Sequence, residues 1–237
     1  MSTVMARRTL ATVVAGMVVG WSGTAHAAQI KGTPGNDRIH GTRGADVIDG
    51  LAGDDRVGAG KGPDTLVGGE GSDRLWGRWG ADRLFGGPGN DRLWGGLAND
   101  QSWGDAGDDV MGGGDGNDRQ AGGAGNDLIY AARGQDESWG EDGDDTLWAM
   151  ARRDVHGPND VQGDVLHGGL GNDTFRTRDG EQDTVDCGPG IDTAYVDFKD
   201  VLANPGECEV VNRARRAQKG EDRPESAEPQ DILSPRE

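Results

Sequence analysis

The chain has 237 residues, of which 44 are Gly, 33% are hydrophobic and 5% are aromatic. This is too little apolar material for an ordinary globular core of this length. Its 42 acidic and 24 basic residues give a formal net charge of −18, which excludes nucleic acid as an expected partner. The same balance is typical of disordered chains, so the arrangement of the residues must decide between order and disorder.

Residues 1–27 are predicted to be a secretory signal peptide. Arg7 and Arg8 form its positive region, residues 9–21 its apolar region and residues 25–27 a small-x-small cleavage site. The apolar run is shorter than the roughly 20 residues of a transmembrane helix, so we expect a secreted, extracellular protein without a membrane span. The adjacent arginines leave twin-arginine export open beside the favoured general secretory route. Residues 28–31 are predicted to be a short linker.

Residues 32–157 contain a regular repeat in which Asp recurs every nine residues and Gly stands two residues before most of these Asp residues. The Asp positions are Asp37, Asp46, Asp55, Asp64, Asp73, Asp82, Asp91, Asp100, Asp109, Asp118, Asp127, Asp136, Asp145 and Asp154. The period then slips by one at Asp164 and again at Asp183, returning at Asp173 and Asp192. Residues 158–197 are therefore predicted to be degenerate repeats.

Each unit follows the pattern Gly-Gly-x-Gly-x-Asp-x-U-x, where U is a large apolar residue, as in residues 86–94 and 122–130. This pattern resembles the hemolysin-type, or RTX, calcium-binding nonapeptide repeat, and the resemblance covers roughly residues 32–194. It implies an all-β fold, a parallel β-roll (a β-helix or solenoid) with calcium ions in its turns.

The spacing has a physical interpretation beside the resemblance. Gly allows the tight turn, and the x-U-x segment predicts a short strand with U on one face. Two units make an 18-residue coil, so alternate strands stack into two parallel sheets that bury their U residues against each other. One sheet receives Ile39, Val57, Leu75, Leu93, Met111, Ile129 and Leu147. The other receives Ile48, Leu66 and Leu84, followed by the polar row Ser102, Gln120, Ser138 and His156.

A flipped pleat would instead bury Trp103, Ala121 and Trp139. That alternative also buries Gln101, Arg119 and Glu137, which disfavours it. Whether the polar inward row has a function is left open by the sequence.

Calcium is the expected cofactor, as several ions. Stacked turns bring carboxylates 18 residues apart together, where they repel each other without a cation. Calcium accepts six to eight oxygen ligands, including backbone carbonyls, whereas Mg²⁺ and Zn²⁺ suit these turns less well. The resemblance implies a cation between Asp pairs from Asp37 with Asp55 to Asp136 with Asp154, which allows at most twelve sites. The predicted metal ligands are Asp37, Asp46, Asp55, Asp64, Asp73, Asp82, Asp91, Asp100, Asp109, Asp118, Asp127, Asp136, Asp145 and Asp173.

The turns are not expected to be equal. The turn of Asp154 has lost every Gly and gained Arg152 and Arg153, so we do not expect metal there, nor at Asp183. Turns that keep all three Gly are expected to be the strongest sites, and they belong to Asp73, Asp91, Asp118, Asp127 and Asp173.

Aromatic residues recur three positions after the repeat Asp, where they should point outward. They are Trp76, Phe85, Trp94, Trp103, Tyr130, Trp139 and Trp148. The favoured interpretation is a set of ladders that shield the strands, with Trp76 stacked on Trp94. The alternative is a platform for an extracellular polysaccharide, assisted by the outward residues Arg38, Arg56, Arg74 and Arg92.

Cys187 and Cys208 are the two cysteines. In an oxidising compartment we predict that they form a disulfide, because the ligands of a metal pair are missing around them. The apolar stretch 198–211 is predicted to be a C-terminal cap, and residues 212–237 a disordered charged tail.

No catalytic motif is found in the sequence, so we do not expect an enzyme. The hypothesis is a secreted calcium-binding repeat protein that folds on binding several ions and acts as an extracellular structural or binding module. The alternatives are the polysaccharide-binding protein and the non-catalytic part of a secreted hydrolase or toxin system. The oligomeric state is not indicated by the sequence.

Overall fold

The computed structural model of the chain describes residues 27–149 and 163–213, and every regular element in these residues is a β-strand. Residues 1–26, Asp154, His156 and residues 214–237 lie outside the described residues. No helix long and apolar enough to cross a bilayer occurs in the part of the chain that the structure describes.

Twenty strands follow one another along the described chain. They are β1 (Gln29–Lys31), β2 (Arg38–His40), β3 (Val47–Ala52), β4 (Arg56–Lys61), β5 (Thr65–Glu70), β6 (Arg74–Trp79), β7 (Arg83–Pro88), β8 (Arg92–Leu97), β9 (Gln101–Ala106), β10 (Val110–Asp115), β11 (Arg119–Ala124), β12 (Leu128–Arg133), β13 (Glu137–Asp142), β14 (Thr146–Trp148), β15 (Val165–Leu170), β16 (Thr174–Arg176), β17 (Thr184–Asp186), β18 (Thr193–Val196), β19 (Val201–Leu202) and β20 (Val210–Arg213).

The odd-numbered strands form one ten-stranded parallel sheet and the even-numbered strands form another, called here the odd sheet and the even sheet. Strands pair with the strand one coil away, so Ile48 lies beside Leu66 and Leu75 beside Leu93. The predicted fold, an all-β parallel β-roll of nine-residue repeats, is confirmed.

Most strands of the regular repeats are six residues long, twice the expected x-U-x segment. In β7 the second and fourth residues, Leu84 and Gly86, face inward and are buried. The Gly pair of the unit, Gly86 and Gly87, therefore continues the strand, and the turn is confined to the residues around the third Gly and the Asp. Gly89 has φ of +144°, and a Cβ on it would collide with the carbonyl oxygen of Gly71 in the coil before. Only Gly fits there.

The core is the double row of U residues between the two sheets. Leu66, Leu84, Leu75 and Leu93 are fully buried, as are the other predicted apolar U positions to within 1%. The polar row also faces inward, since Ser102, Gln120 and Ser138 are at most 2% exposed. The flipped pleat is therefore wrong.

The buried amide of Gln120 is satisfied within the core. With its amide turned so that the oxygen and nitrogen exchange places, the nitrogen donates to the carbonyl oxygen of Tyr130 (3.0 Å), and the oxygen accepts from the backbone nitrogen of Gly113 (3.1 Å). The buried Gln120 side chain thus meets the hydrogen-bond partners that a buried polar group requires.

Both ends of the described chain join the sheets. Residues 28–31 are not a linker, because β1 pairs with β3 and Ile30 is buried as the first U residue. The predicted cap, residues 198–211, contains β19, which pairs with β17, and the start of β20, which pairs with β18. At the N-terminal end β1 buries Ile30, whereas at the C-terminal end Val210 and Val211 of β20 stay 44% and 39% exposed.

Candidate calcium sites

The repeat Asp residues form two columns, one along each edge of the roll. Within a column, the backbone nitrogen of each Asp donates to Oδ1 of the Asp one coil further on, as Asp73 does to Asp91 (2.7 Å) and Asp91 to Asp109 (2.7 Å). The first column contains Asp37, Asp55, Asp73, Asp91, Asp109, Asp127, Asp145, Asp173 and Asp192. The second contains Asp46, Asp64, Asp82, Asp100, Asp118, Asp136, Asp164 and Asp183.

The second carboxylate oxygen of these residues is buried. Among the described residues, Oδ2 has no hydrogen-bond partner in Asp55, Asp64, Asp73, Asp82, Asp91, Asp100, Asp109, Asp118, Asp127, Asp145, Asp173, Asp183 and Asp192. A buried carboxylate oxygen without a partner is strongly unfavourable unless a cation or a proton reaches it.

Burial has the corresponding effect on acidity. Loss of solvent, opposed by the backbone hydrogen bond and reinforced by neighbouring carboxylates, raises the pKa of Asp91 to about 7 and that of Asp109 to about 8. The pKa of Asp100 likewise rises to about 8, with burial as the largest cause. In the folded chain without a metal ion, burial thus favours the protonated form of Asp91, Asp100 and Asp109, whereas a divalent cation would favour their ionised form.

Where Gly stands five residues before the Asp, Oδ2 faces a space that is also lined by a backbone carbonyl oxygen. A Cβ built on Gly86 would lie 2.7 Å from the carbonyl oxygen of Gly104 and in contact with Oδ2 of Asp91. Gly113 shows the same arrangement, with the carbonyl oxygen of Ala131 at 2.8 Å and Oδ2 of Asp118 in contact. An ion at this position would therefore lie from the carboxylate and carbonyl oxygens at distances close to the 2.3–2.6 Å of calcium–oxygen contacts.

The donor set suits calcium better than other metals. A cation beside Asp91 or Asp118 would meet a backbone carbonyl oxygen, that of Gly104 or Ala131, as well as the carboxylate. Calcium accepts such a mixed oxygen set, whereas zinc prefers Cys and His ligands.

Comparison with protein families agrees with this geometry. The family model for the RTX calcium-binding nonapeptide repeat (4 copies) matches residues 31–66, 58–93, 76–111, 112–147 and 162–194, which is more than half of the chain. The chain belongs to this family. No match is found among curated proteins. RTX repeats bind calcium and form structural units, so the chain is a calcium-binding β-roll.

Among the turns from Asp37 to Asp145, two differ from the others in the space beside the Asp. Ala59 stands where the turn of Asp64 would have Gly, and Ala131 stands there in the turn of Asp136. Both alanines are fully buried, so a methyl group occupies the space that is open beside Asp91. The sequence signal was present in both turns, but without the inward direction of this residue its effect could not be inferred.

The second column corrects the predicted pairing of Asp136 with Asp154. The backbone nitrogen of Asp136 donates to Oδ1 of Asp164 (3.0 Å), 28 residues ahead, and that of Asp145 donates to Asp173 (2.9 Å). The ladder of hydrogen bonds therefore continues from Asp136 to Asp164, whereas the nine-residue count had predicted Asp154 as the partner of Asp136. Asp164, omitted from the predicted ligands, occupies the next position.

Near the end of the roll, several acidic residues outside the nine-residue phase are buried together. Asp183 is fully buried, and burial followed by the charges of Asp179, Asp164 and Asp200 raises its pKa far above the usual range. Glu181 is also buried, at 3% exposure. Of this group, Asp179, Glu181 and Asp200 do not belong to the repeat positions, so the nine-residue period did not predict them.

The outward ladders are present as expected. Trp76 and Trp94 stack at 5.6 Å between ring centroids, and Tyr130 and Trp148 at 6.3 Å. The predicted disulfide between Cys187 and Cys208 is confirmed, with the two Cα atoms 5.5 Å apart. It connects the residue after β17 to the segment before β20 and so joins the two sheets at the C-terminal end.

Proposed function

We propose that the protein is a secreted, extracellular structural or binding module that folds on binding several calcium ions. The buried Oδ2 atoms without a hydrogen-bond partner, repeated along both columns, are the observation that carries this proposal. A cation at each turn converts a stack of desolvated, mutually repelling carboxylates into a set of ligands.

In this proposal each ion lies between turns one coil apart. The first column supplies Asp73, Asp91 and Asp109 to successive ions, and carbonyl oxygens such as that of Gly104 complete the coordination. Because each interior Asp serves two neighbours, the ions bind cooperatively with folding. The turns of Asp64 and Asp136 are weaker sites because Ala59 and Ala131 fill their oxygen-lined space.

Export follows from the predicted signal peptide, from the disulfide, and from calcium itself. Disulfides persist in oxidising compartments, and millimolar calcium is available outside the cell, where low-affinity sites can fill. An unfolded chain with a net charge near −20 after cleavage would not collapse before it meets calcium.

Equilibrium dialysis of the chain from residue 28 onward against calcium tests the proposal. We expect several calcium ions to bind per chain, and magnesium at the same concentration to bind far less, because octahedral magnesium does not fit carbonyl-rich turns. A chain that binds no calcium at millimolar concentration, or binds magnesium equally well, would contradict it.

A screen for hydrolase activity and a liposome leakage assay, both with calcium, separate this proposal from its rivals. We expect neither activity. Substrate turnover by the purified chain would favour an enzyme, and calcium-dependent leakage would favour a toxin.

A further inference from the structure

One outward row of the odd sheet is a stack of rings with a gap in its middle. Phe85 stacks on Trp103 with the centroids 4.6 Å apart and the rings 4° from parallel. Trp139 stacks on His167 at 5.5 Å and 7°. Ala121 lies between Trp103 and Trp139 in the register of the sheet. Two strand spacings, about 9.5 Å, separate the strands that carry the two indoles.

A groove of about 370 Å³ opens at this gap, which is within the range of small-ligand sites. Its lining is Trp103, Asp105, Ala121, Gly122, Gly123, Ala124, Glu141 and Asp142. The groove, called here the Ala121 groove, thus combines one aromatic wall, Trp103, with a floor of small residues and three carboxylates, while Trp139 lies on the adjacent strand in register with Ala121.

The even sheet shows what fills such a gap in this fold. In the corresponding row, Arg176 lies between Trp148 and Tyr195. Its guanidinium carbon is 4.8 Å from the centroid of each ring. One guanidinium therefore occupies one rung between two aromatic rings at the strand spacing of this roll.

Two further gaps in the even sheet are covered by the chain's own side chains. Gly58 is covered by Arg78, because a Cβ at Gly58 would meet its guanidinium atoms at 3.1–3.4 Å. Gly112 is covered by Trp94, whose Cδ1 would be 3.1 Å from such a Cβ. In contrast, the Ala121 groove is open.

The charge at the Ala121 groove is negative and unbalanced. Asp105 and Glu141 flank Gly123 in the sheet and have φ of 75° and 78°, a left-handed conformation that non-Gly residues rarely adopt. No ion pair joins Asp105, Glu141 or Asp142 to a cation of the described residues. Arg119, on the same strand as Ala121, bonds Glu137 instead (3.2 Å).

We propose that the Ala121 groove binds the guanidinium group of an arginine side chain presented by a partner polypeptide. The planar group fills the vacant rung between Trp103 and Trp139, as Arg176 fills its own, and its N–H groups donate to the carboxylates of Asp105 and Glu141. A lysine ammonium neither stacks between two rings nor forms the paired hydrogen bonds. A neutral sugar would leave the three carboxylates without a counter-charge.

The first test compares two peptides, acetyl-Gly-Arg-Gly-amide and acetyl-Gly-Lys-Gly-amide, by calorimetric titration of the chain from residue 28 onward in calcium. Folding is verified by circular dichroism beforehand, so a failure to fold in calcium is distinguished from a failure to bind arginine. We expect the arginine peptide to bind about fivefold or more tightly than the lysine peptide.

Variants locate the site. Ala121→Arg places a guanidinium in the gap from within the chain and should abolish peptide binding. If this variant does not fold, Ala121→Trp closes the same rung and should have the same effect. The double change Asp105→Asn and Glu141→Gln should weaken binding about threefold or more. Glu70→Gln, an exposed acid at the end of β5 in the same sheet, is the matched control and should leave binding unchanged.

Equal binding of the two peptides would overturn the proposal, since it would reflect only the acidic surface. Undiminished binding by the folded Ala121→Arg or Ala121→Trp variant would also overturn it. So would a groove that binds a neutral glucan hexasaccharide and does not respond to the arginine peptide.

Discussion

The regular block, residues 29–148, and the terminal block, residues 163–213, stack in the same two sheets but differ in what holds their coils together. In the regular block, hydrogen bonds between column residues join positions 18 apart without exception. In the terminal block the step is 19 residues from Asp164 to Asp183 and 17 from Asp183 to Asp200. The terminal block also contains the disulfide and the fully buried Phe175.

The difference shows two ways to stabilise a roll with a thin core. Where the period is regular, most turns repeat the same oxygen-lined space, with Ala59 and Ala131 as the exceptions, so the proposed calcium sites continue along the stack. Where the period slips, the turns are unequal, and a covalent link with a larger apolar side chain replaces part of that contribution.

Among the changes that test this difference between the two blocks, Asp91→Ala is expected to have the largest effect on folding by calcium. Asp91 lies in the middle of the regular block and is a ligand of two proposed ions, so its loss affects coils on both sides. We expect the calcium concentration at the folding midpoint to rise about threefold or more, and that of Asp154→Ala to rise less than about twofold.

Asp154 is the control because the column passes from Asp136 directly to Asp164. The measurement is a calcium titration of both variants in one buffer, followed by circular dichroism. Equal midpoints, or a larger shift for Asp154→Ala, would show that the columns do not hold the metal as proposed.

A second prediction concerns the disulfide. Reduction should loosen the terminal block while leaving the regular block intact, because the bridge closes a loop whose chain-entropy contribution is about 3 kcal/mol. Hydrogen exchange with mass spectrometry in calcium should show faster exchange in β17–β20 and little change in β5–β10. If reduction made exchange faster by the same factor in both blocks, the disulfide would stabilise the whole roll and not the terminal block alone, which would contradict this prediction.

The smallest effect expected is that of pH in the absence of calcium. Burial raises the pKa of Asp91 to about 7 and of Asp109 to about 8, from an ordinary value of 3.8. Between the ordinary pKa of 3.8 in the unfolded chain and the raised pKa of about 7 to 8 in the folded chain, the folded state binds more protons than the unfolded state. The stability of the folded state therefore rises as pH falls from about 8 toward 4. In EDTA we expect more β-structure by circular dichroism at pH 5 than at pH 8, and no difference would contradict this.

Much of the fold could be predicted from the sequence because nine-residue phase determines which residue faces inward. Leu84 and Ser102 occupy the same position in consecutive coils, and both are buried as predicted although one is polar. The disulfide was predictable because only two cysteines exist and the ligands of a metal pair are missing around them.

Other features depend on geometry that the period does not contain. The pairing of Asp136 with Asp164 depends on how the ladder closes around an insertion. The open groove at Ala121 and the covered gap at Gly112 look alike in sequence. They differ because the ring of Trp94 lies over Gly112, one strand away. The predicted calcium ligands are placed in columns by the structure, while metal binding at each of them stays a prediction.

The central claim, that calcium replaces a hydrophobic core, is tested most directly by far-UV circular dichroism of the chain from residue 28 onward. In EDTA at neutral pH we predict a largely unfolded spectrum, and millimolar calcium should restore β-structure in one cooperative transition. A far-UV spectrum that does not change on chelation would show that the roll folds without calcium and would contradict the account.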